Sequence, residues 1–185
     1  MKKTQENLLK AFAGESQARN KYIFFAIRAR EDGFEGIARI FEETAGNEME
    51  HAERELEFVQ KGAKTTTEVA NDPVSTTAEN LKAAIAGEDH EAEEMYPEFE
   101  KQARKEGEDE IADVFKEIGE VEEKHRDRYK DILKHVETGT VFKRETPIEW
   151  KCLNCGYVHK GTEAPEKCPA CAKPQSWYEP RGKNW

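Results

Sequence analysis

The pattern that most narrows what this chain can become is a pair of Glu-x-x-His tetrads, Glu48-Met49-Glu50-His51 and Glu122-Glu123-Lys124-His125. On an α-helix a three-residue step puts carboxylate and imidazole on one face about a turn apart, within reach of a single metal ion. Neither tetrad is isolated. Ile37, Ala38, Phe41, Glu43, Glu48 and His51 return 74 positions later as Ile111, Ala112, Phe115, Glu117, Glu122 and His125. Upstream, Ala11-Phe12-Ala13-Gly14-Glu15 returns 73 positions later as Ala84-Ile85-Ala86-Gly87-Glu88. Each half of the chain therefore carries a lone Glu on one helix and a Glu-x-x-His on the next, the ligand set of a dinuclear carboxylate centre inside a helical bundle. A single Glu-x-x-His among 39 acidic residues would be weak evidence; two in register, each with a matching upstream glutamate, are strong.

Composition supports helices. Hydrophobic residues make up 36% and charged residues 37%, and Gly and Pro are sparse before position 138, as in amphipathic helices rather than sheets. The formal net charge of −10 argues against nucleic acid and anionic membrane surfaces as partners. Met1-Lys2-Lys3 is followed by polar Thr4-Gln5-Glu6-Asn7 rather than an apolar signal core, and the run Tyr22 to Ile27 is far too short to span a bilayer. A cytoplasmic location is expected. Four cysteines in two CxxC pairs then favour metal ligation over disulfides.

Helices are predicted at roughly 4–31, 35–61, 77–106 and 108–137. Asp32-Gly33 and Glu106-Gly107-Glu108 break them into two antiparallel hairpins. Residues 62–76, with Thr65-Thr66-Thr67, Asn71-Asp72-Pro73 and Ser75, read as a long crossover, and Thr76 with Glu79 as a capping box opening the third helix. Two hairpins joined by one long connection give a mainly α, ferritin-like four-helix bundle.

Stripes in steps of three and four sharpen the ligand assignment. They run Ala11, Glu15, Ala18, Tyr22, Phe25, Ala29; Phe34, Ala38, Phe41, Ala45, Glu48, Ala52; Leu81, Ile85, Glu88, Ala92, Met95, Phe99; and Ile111, Phe115, Ile118, Glu122, His125, Tyr129, Ile132. Each is apolar except near its middle, where a Glu sits. Antiparallel helices of similar length meet middle to middle, so the four carboxylates should converge in a dry core. There they would cost several kcal/mol each, or take up protons, unless divalent cations joined them. Glu91 breaks the repeat, since the first helix has Ala18 at the matching place; as a surplus ligand it could exchange with another. Tyr22 and Tyr96 lie near the ligand level and could hydrogen-bond the carboxylates. Glu42, Glu50, Glu53, Glu57, Glu106 and Glu108 lie off the stripes or near helix ends and read as a solvated face, and His90 and His135 as exposed.

After Thr138-Gly139 the character changes. Val141-Phe142 and Trp150 suggest short extended segments around Cys152-Leu-Asn-Cys155 and Cys168-Pro-Ala-Cys171. Two such knuckles specify a tetrahedral four-thiolate site, and a segment this short needs the metal to hold it together. The spacing accepts zinc as readily as iron. A neighbouring redox centre favours iron, which can carry one electron.

The chain resembles the rubrerythrin family over essentially its whole length. The resemblance is carried by Gly87-Glu88 through Glu91 with Met95-Tyr96-Pro97, by both Glu-x-x-His sites, by Trp150-Lys-Cys-Leu-Asn-Cys-Gly-Tyr-Val-His159 with Cys168-Pro-Ala-Cys171, and by the closing Asn184-Trp185. Ala172 stands where a free-standing rubredoxin usually has glycine. The resemblance implies a ferritin-like diiron bundle over 1–138, a linker at about 139–146 and a rubredoxin-like four-cysteine iron domain over 147–185. It also implies a non-haem diiron peroxidase that reduces hydrogen peroxide to water and protects against oxidative stress. Glu48 and Glu122 would bridge the two non-haem irons; Glu88 and His125 would complete one. Glu15 would sit on the other, joined by Glu91 when oxidised and His51 when reduced. Cys152, Cys155, Cys168 and Cys171 would hold one relay iron, fed by reduced rubredoxin or an NAD(P)H-dependent reductase, in a head-to-tail homodimer. The rival readings are a ferroxidase or oxidase using dioxygen, and a non-catalytic iron-storage or electron-carrier protein.

Overall fold

A computed structural model describes residues 2–68 and 73–182. Asn71 and Asp72 of the expected crossover turn, and the closing Asn184-Trp185, lie outside the described residues. The helices are α1 (Lys3–Glu31), α2 (Glu35–Leu56), α3 (Thr77–His90), a π-helical segment (Glu91–Met95), α4 (Tyr96–Lys105) and α5 (Asp109–Glu137).

Two boundaries depart from expectation, each for a local reason. The second helix ends at Leu56, not near residue 61, because the buried Gln5 side chain takes over the chain beyond it. Gln5 donates to Phe58 O (3.1 Å) and accepts from Gln60 N (2.8 Å). The third predicted helix is divided by the π segment. Pro97 lacks an N–H and its ring crowds the carbonyl four residues back, so the turn before it widens instead of continuing as α.

The turns lock the hairpins to each other. Gly33 (φ 87°) and Gly107 (φ 74°) end α1 and α4 in the left-handed region. Asp32 Oδ2 accepts from Thr77 N and Oγ1 (2.9 and 2.8 Å), so the end of α1 anchors the start of α3, whose expected cap Thr76 accepts from Glu79 N at 3.3 Å. Glu106, expected on a solvated face, is half-buried and caps α1. It accepts from the backbone of Lys3 and Thr4 and from Thr4 Oγ1 (3.0, 2.9 and 2.7 Å), with the Thr4 bonds drawing its carboxyl down to about 2.

Two apolar clusters fill the bundle. One is built from Tyr22, Phe25, Ala29, Phe41, Leu81 and Tyr129 with their neighbours, the other from Leu8, Ala11, Tyr96, Phe99, Ile111 and Phe115 with theirs. On α1, on α5 and along the line of α3 and α4, these clusters lie on opposite sides of a single buried Glu. The carboxylates thus form one polar layer between two dry ones, where water cannot solvate them.

The C-terminal module is an antiparallel sheet of order β2–β1–β3, from β1 (Lys143–Cys152), β2 (Val158–Glu163) and β3 (Tyr178–Pro180). β1 begins at Lys143, inside the stretch expected to be linker. Trp150, Cys152, Ala164, Cys168 and Tyr178 make its small core. The module rests on the start of α2, where Phe142 stacks on Phe34 (6.2 Å between ring centroids) and Arg39 donates to Leu153 O at 3.4 Å. No helix among the described residues is long and apolar enough to cross a membrane.

Candidate metal centre

Glu15, Glu48, Glu88 and Glu122 are 0–1% exposed, one from each of α1, α2, α3 and α5. With His51 and His125 they form two four-donor sets, Glu15, Glu48, His51 and Glu122, and Glu48, Glu88, Glu122 and His125. Within each set the ligand atoms lie within 4.8 Å of one another. Glu48 and Glu122 belong to both sets, so the two sets adjoin and share two carboxylates.

Each imidazole sits at the centre of a cluster of carboxylate oxygens. His51 Nδ1 lies 2.9 Å from Glu122 Oε1, 3.1 Å from Glu48 Oε2 and 3.8 Å from Glu15 Oε2. His125 Nδ1 lies 2.7 Å from Glu122 Oε2, 3.4 Å from Glu48 Oε1 and 3.5 Å from Glu88 Oε2. Yet Glu15 Oε2, Glu48 Oε1, Glu88 Oε2, both Glu122 oxygens and His125 Nδ1 are buried without a hydrogen-bond partner. Buried acceptors left this way cost about 1–3 kcal/mol apiece, more when charged. A cation in each set satisfies them together, so the donors fit a metal pair.

Electrostatics agree. Burial drives the Glu15 carboxyl well up and Glu88 up to about 8, with neighbouring carboxylates adding to both effects. Burial would also raise Glu48, but His125 and His51 beside it outweigh that and hold it at about 2. Burial opposes charge on His125 too, but Glu122, Glu48 and Glu88 push it up to about 12, and carboxylates raise His51 in the same way. The surrounding carboxylates thus favour protonated rings, and a cation entering either set must displace those protons to bind the imidazole.

Tyr22 donates to Glu88 Oε1 and Tyr96 to Glu15 Oε1, so both sequence-predicted tyrosines touch ligands. Tyr96 also lies 2.9 Å from Glu55 Oε1. Glu55 is 0% exposed and was not singled out by sequence. Its signal was there: the α2 stripe continues from Glu48 through Ala52 to Glu55. His90 is exposed as expected. His135 is not: it is half-buried, with Nδ1 2.8 Å from Thr140 Oγ1.

Glu91 opens the π segment and belongs to neither four-donor set. Burial pushes its carboxyl well up, reinforced by Glu88, Glu122 and Glu48. It faces α1, where a Cβ on Gly14 would lie 3.8 Å from Glu91 Oε1. It also lines a surface groove of about 430 Å³ with Lys10, Gly14, Gln17, Glu94 and Met95. A roomier cleft of about 510 Å³, between α2, α5 and the C-terminal module, contains none of the candidate ligands.

In the C-terminal module the four sulfurs also lie within 4.8 Å of one another, with Cys152–Cys171 and Cys155–Cys168 both at 3.7 Å. That is far beyond a disulfide bond and close to the edge, about 3.8 Å, of a tetrahedron with metal–sulfur bonds of about 2.3 Å. Gly156 and Ala172 follow the second cysteine of each knuckle at φ 78° and 60°, which turns their amides back onto Cys152 O and Cys168 O at 2.9 Å.

Comparison with known proteins agrees with this geometry. The family model described as Rubrerythrin matches residues 6–133, and that described as Rubrerythrin, rubredoxin-like domain matches 150–179. The chain is 50% identical over 186 residues to a rubrerythrin of Nitratidesulfovibrio vulgaris, covering 99% of this chain and 96% of that protein. A structure of nigerythrin in a mixed-valence state superposes with a TM-score of 0.66 at 34% identity, over 96% of this chain and 86% of that one. The Desulfovibrio desulfuricans bacterioferritin, solved with its diiron site in different catalytic states, superposes with a TM-score of 0.67 at 26% identity, over 75% and 82%. The cofactors are accordingly two iron ions at the bundle's paired donor sets and one at the four cysteines.

Proposed function

The chain belongs to the rubrerythrin family, and from that membership and the geometry of its two donor sets we propose that it is a non-haem diiron peroxidase reducing hydrogen peroxide to water. Its bundle, residues 1–138, carries the reaction, and its four-cysteine module, residues 147–185, relays electrons. The observation that carries this reading is a fifth carboxylate, Glu91, held outside a complete six-residue ligand set and lining a groove open to solvent.

When bound, the iron pair supplies the two electrons that peroxide reduction consumes, one from each ion. The chain's residues do the rest. Glu48 and Glu122 fix the spacing of the two positions, Glu88 and His125 complete one, and Glu15 and His51 complete the other. Glu91 would exchange with His51 in holding that position, its anionic oxygen suiting an oxidised ion and the neutral nitrogen of His51 a reduced one. The π segment gives Glu91 a position from which it can turn inward without unwinding the helix. Tyr22 and Tyr96 hold the ligand carboxylates Glu88 and Glu15 in orientation. The two apolar clusters exclude water from the layer, so peroxide enters by the Glu91 groove.

Reduced rubredoxin or an NAD(P)H-dependent reductase would feed the four-cysteine iron, and a head-to-tail homodimer would bring that iron near a partner's bundle. A role in protection against oxidative stress follows from the substrate, and the cytoplasmic location expected from the sequence goes with it. The test is stopped-flow mixing of the anaerobically reduced protein with hydrogen peroxide and, separately, with dioxygen. Faster and productive oxidation by peroxide is expected. Preference for dioxygen would make the protein an oxidase or ferroxidase, and no turnover with a reductase and rubredoxin supplied would make it a store or carrier.

A further inference from the structure

Glu55 is a fully buried carboxyl outside both donor sets. Its Oε1 meets the Tyr96 hydroxyl at 2.9 Å, and its Oε2 has no hydrogen-bond partner. The groups around it are Tyr96 from α4, Glu122 from α5, His51 and Glu48 on its own helix, and Glu15 of α1 reached through Tyr96. Tyr96 packs closely on α5 at Gly119, where an added Cβ would lie 3.1 Å from Tyr96 Cβ.

Counting protons in this chain of oxygens fixes the state of Glu55. Tyr96 has one proton and touches two carboxyls, Glu15 and Glu55. With Glu15 ionised as a ligand, the Tyr96 proton belongs on the Glu15 side. The contact between Tyr96 and Glu55 then needs a second proton, and Glu55 must carry it. Otherwise an unpaired charge would face a phenol oxygen in a dry core.

We propose that Glu55 stays un-ionised in the iron-loaded protein and, as a positioning residue acting through Tyr96, delivers a proton to the Glu15 side of the centre during peroxide reduction. The proposal rests on the peroxidase reading. Reduction of one hydrogen peroxide breaks the O–O bond, takes two electrons from the iron pair and two protons, and yields two waters. One proton passes from Glu55 to the Tyr96 oxygen as the Tyr96 proton moves toward the product; the other comes from solvent. Glu55 regains its proton from water when the pair is reduced again. Burial, which raises the Glu55 carboxyl to about 8, suits such a store.

The test is Glu55→Gln, which keeps the size and the contact with Tyr96 but has no acid proton. In the infrared difference between iron-loaded, reduced wild type and variant, where the band of Glu91 is common to both and cancels, the carbonyl stretch of one un-ionised carboxylic acid should remain, shifting in deuterated water. With iron content unchanged, single-turnover reaction with peroxide should slow on the order of 10²-fold, the low end for a positioned acid, with an altered solvent isotope effect. The proposal is overturned if no such band remains in the difference between wild type and E55Q, or if E55Q turns over at the wild-type rate. Loss of iron from E55Q would also overturn it, making Glu55 a structural prop. Should the wild type ignore peroxide altogether, the peroxidase reading fails, and the infrared band alone still decides whether Glu55 holds the proton.

Discussion

Removing the metal should make the bundle's stability fall with rising pH, and loading it should abolish that fall. Like Glu55, which burial also raises to about 8, Glu88 contributes a share that can be sized. Its carboxyl ionises near 4.5 in the unfolded chain and at about 8 in the fold, raised by burial. Between those values the unfolded chain has lost a proton that the folded one keeps, so each pH step upward favours unfolding. At about 1.4 kcal/mol per tenfold change in proton affinity, the full displacement is worth about 5 kcal/mol, a large part of a typical domain's stability. His125, at about 12, and His51, also raised, act in the same direction: what they contribute is complete below 6.5 and is lost as pH rises. Glu48, held at about 2, contributes fully above 4.5 and loses its share only as pH drops toward 2. The metal-free bundle should therefore be most stable near pH 4.5 and lose several kcal/mol by pH 8. Urea unfolding followed by the helical circular dichroism signal, on chelator-stripped and iron-loaded protein, measures this. Glu88→Gln should make the metal-free profile shallower without levelling it, because Glu55, His125 and His51 still hold protons in the fold, and added salt should leave it unchanged, since salt screens the surface charge of this acidic chain but not its core. A metal-free profile that is level or climbs between pH 5 and 8, or an iron-loaded one that falls as steeply, would refute the reasoning.

Glu91→Ala should keep its iron and lose peroxide turnover on the order of 10²-fold, read by metal analysis and stopped-flow; unchanged turnover would remove the exchange role. Gly119→Ala brings a methyl to 3.1 Å from Tyr96 Cβ. Overpacking of about 1–3 kcal/mol set against a helix gain of about 1 leaves a net loss of about 1, visible as a lower Tm. Ala172→Gly relieves a left-handed backbone, φ 60°, and should stabilise the four-cysteine module by about 1 kcal/mol in denaturant unfolding followed by its thiolate–metal absorption.

Much of the centre was legible because its spacing is local. A three-residue step between Glu48 and His51, or Glu122 and His125, defines a helix face whatever the rest of the chain does. Glu15 and Glu88 interrupt apolar stripes at matching heights, and the two CxxC knuckles carry their own geometry. What escaped depended on distant contacts. Glu55 sits near the end of a helix among exposed Glu53 and Glu57 and became a core residue only because Tyr96 comes from another helix to meet it. Glu106 looked like one more surface acid until α1 supplied three donors. The early end of α2 depended on Gln5, more than fifty positions away. The π segment could have been suspected from Pro97, but not the turn at which the helix would yield.

The sequence alone determined which residues could bind metal and on which helix faces, because helical periodicity is a short-range property of the backbone. That Glu48 and Glu122 serve both donor sets was implied by the family resemblance but not by helix spacing, and tertiary structure alone decided that His51 lies within one set while Glu91 stands outside, and that Glu55 is sealed in with Tyr96. Those facts depend on how four helices are rotated and stacked against one another, and that rotation is set by packing across the whole bundle.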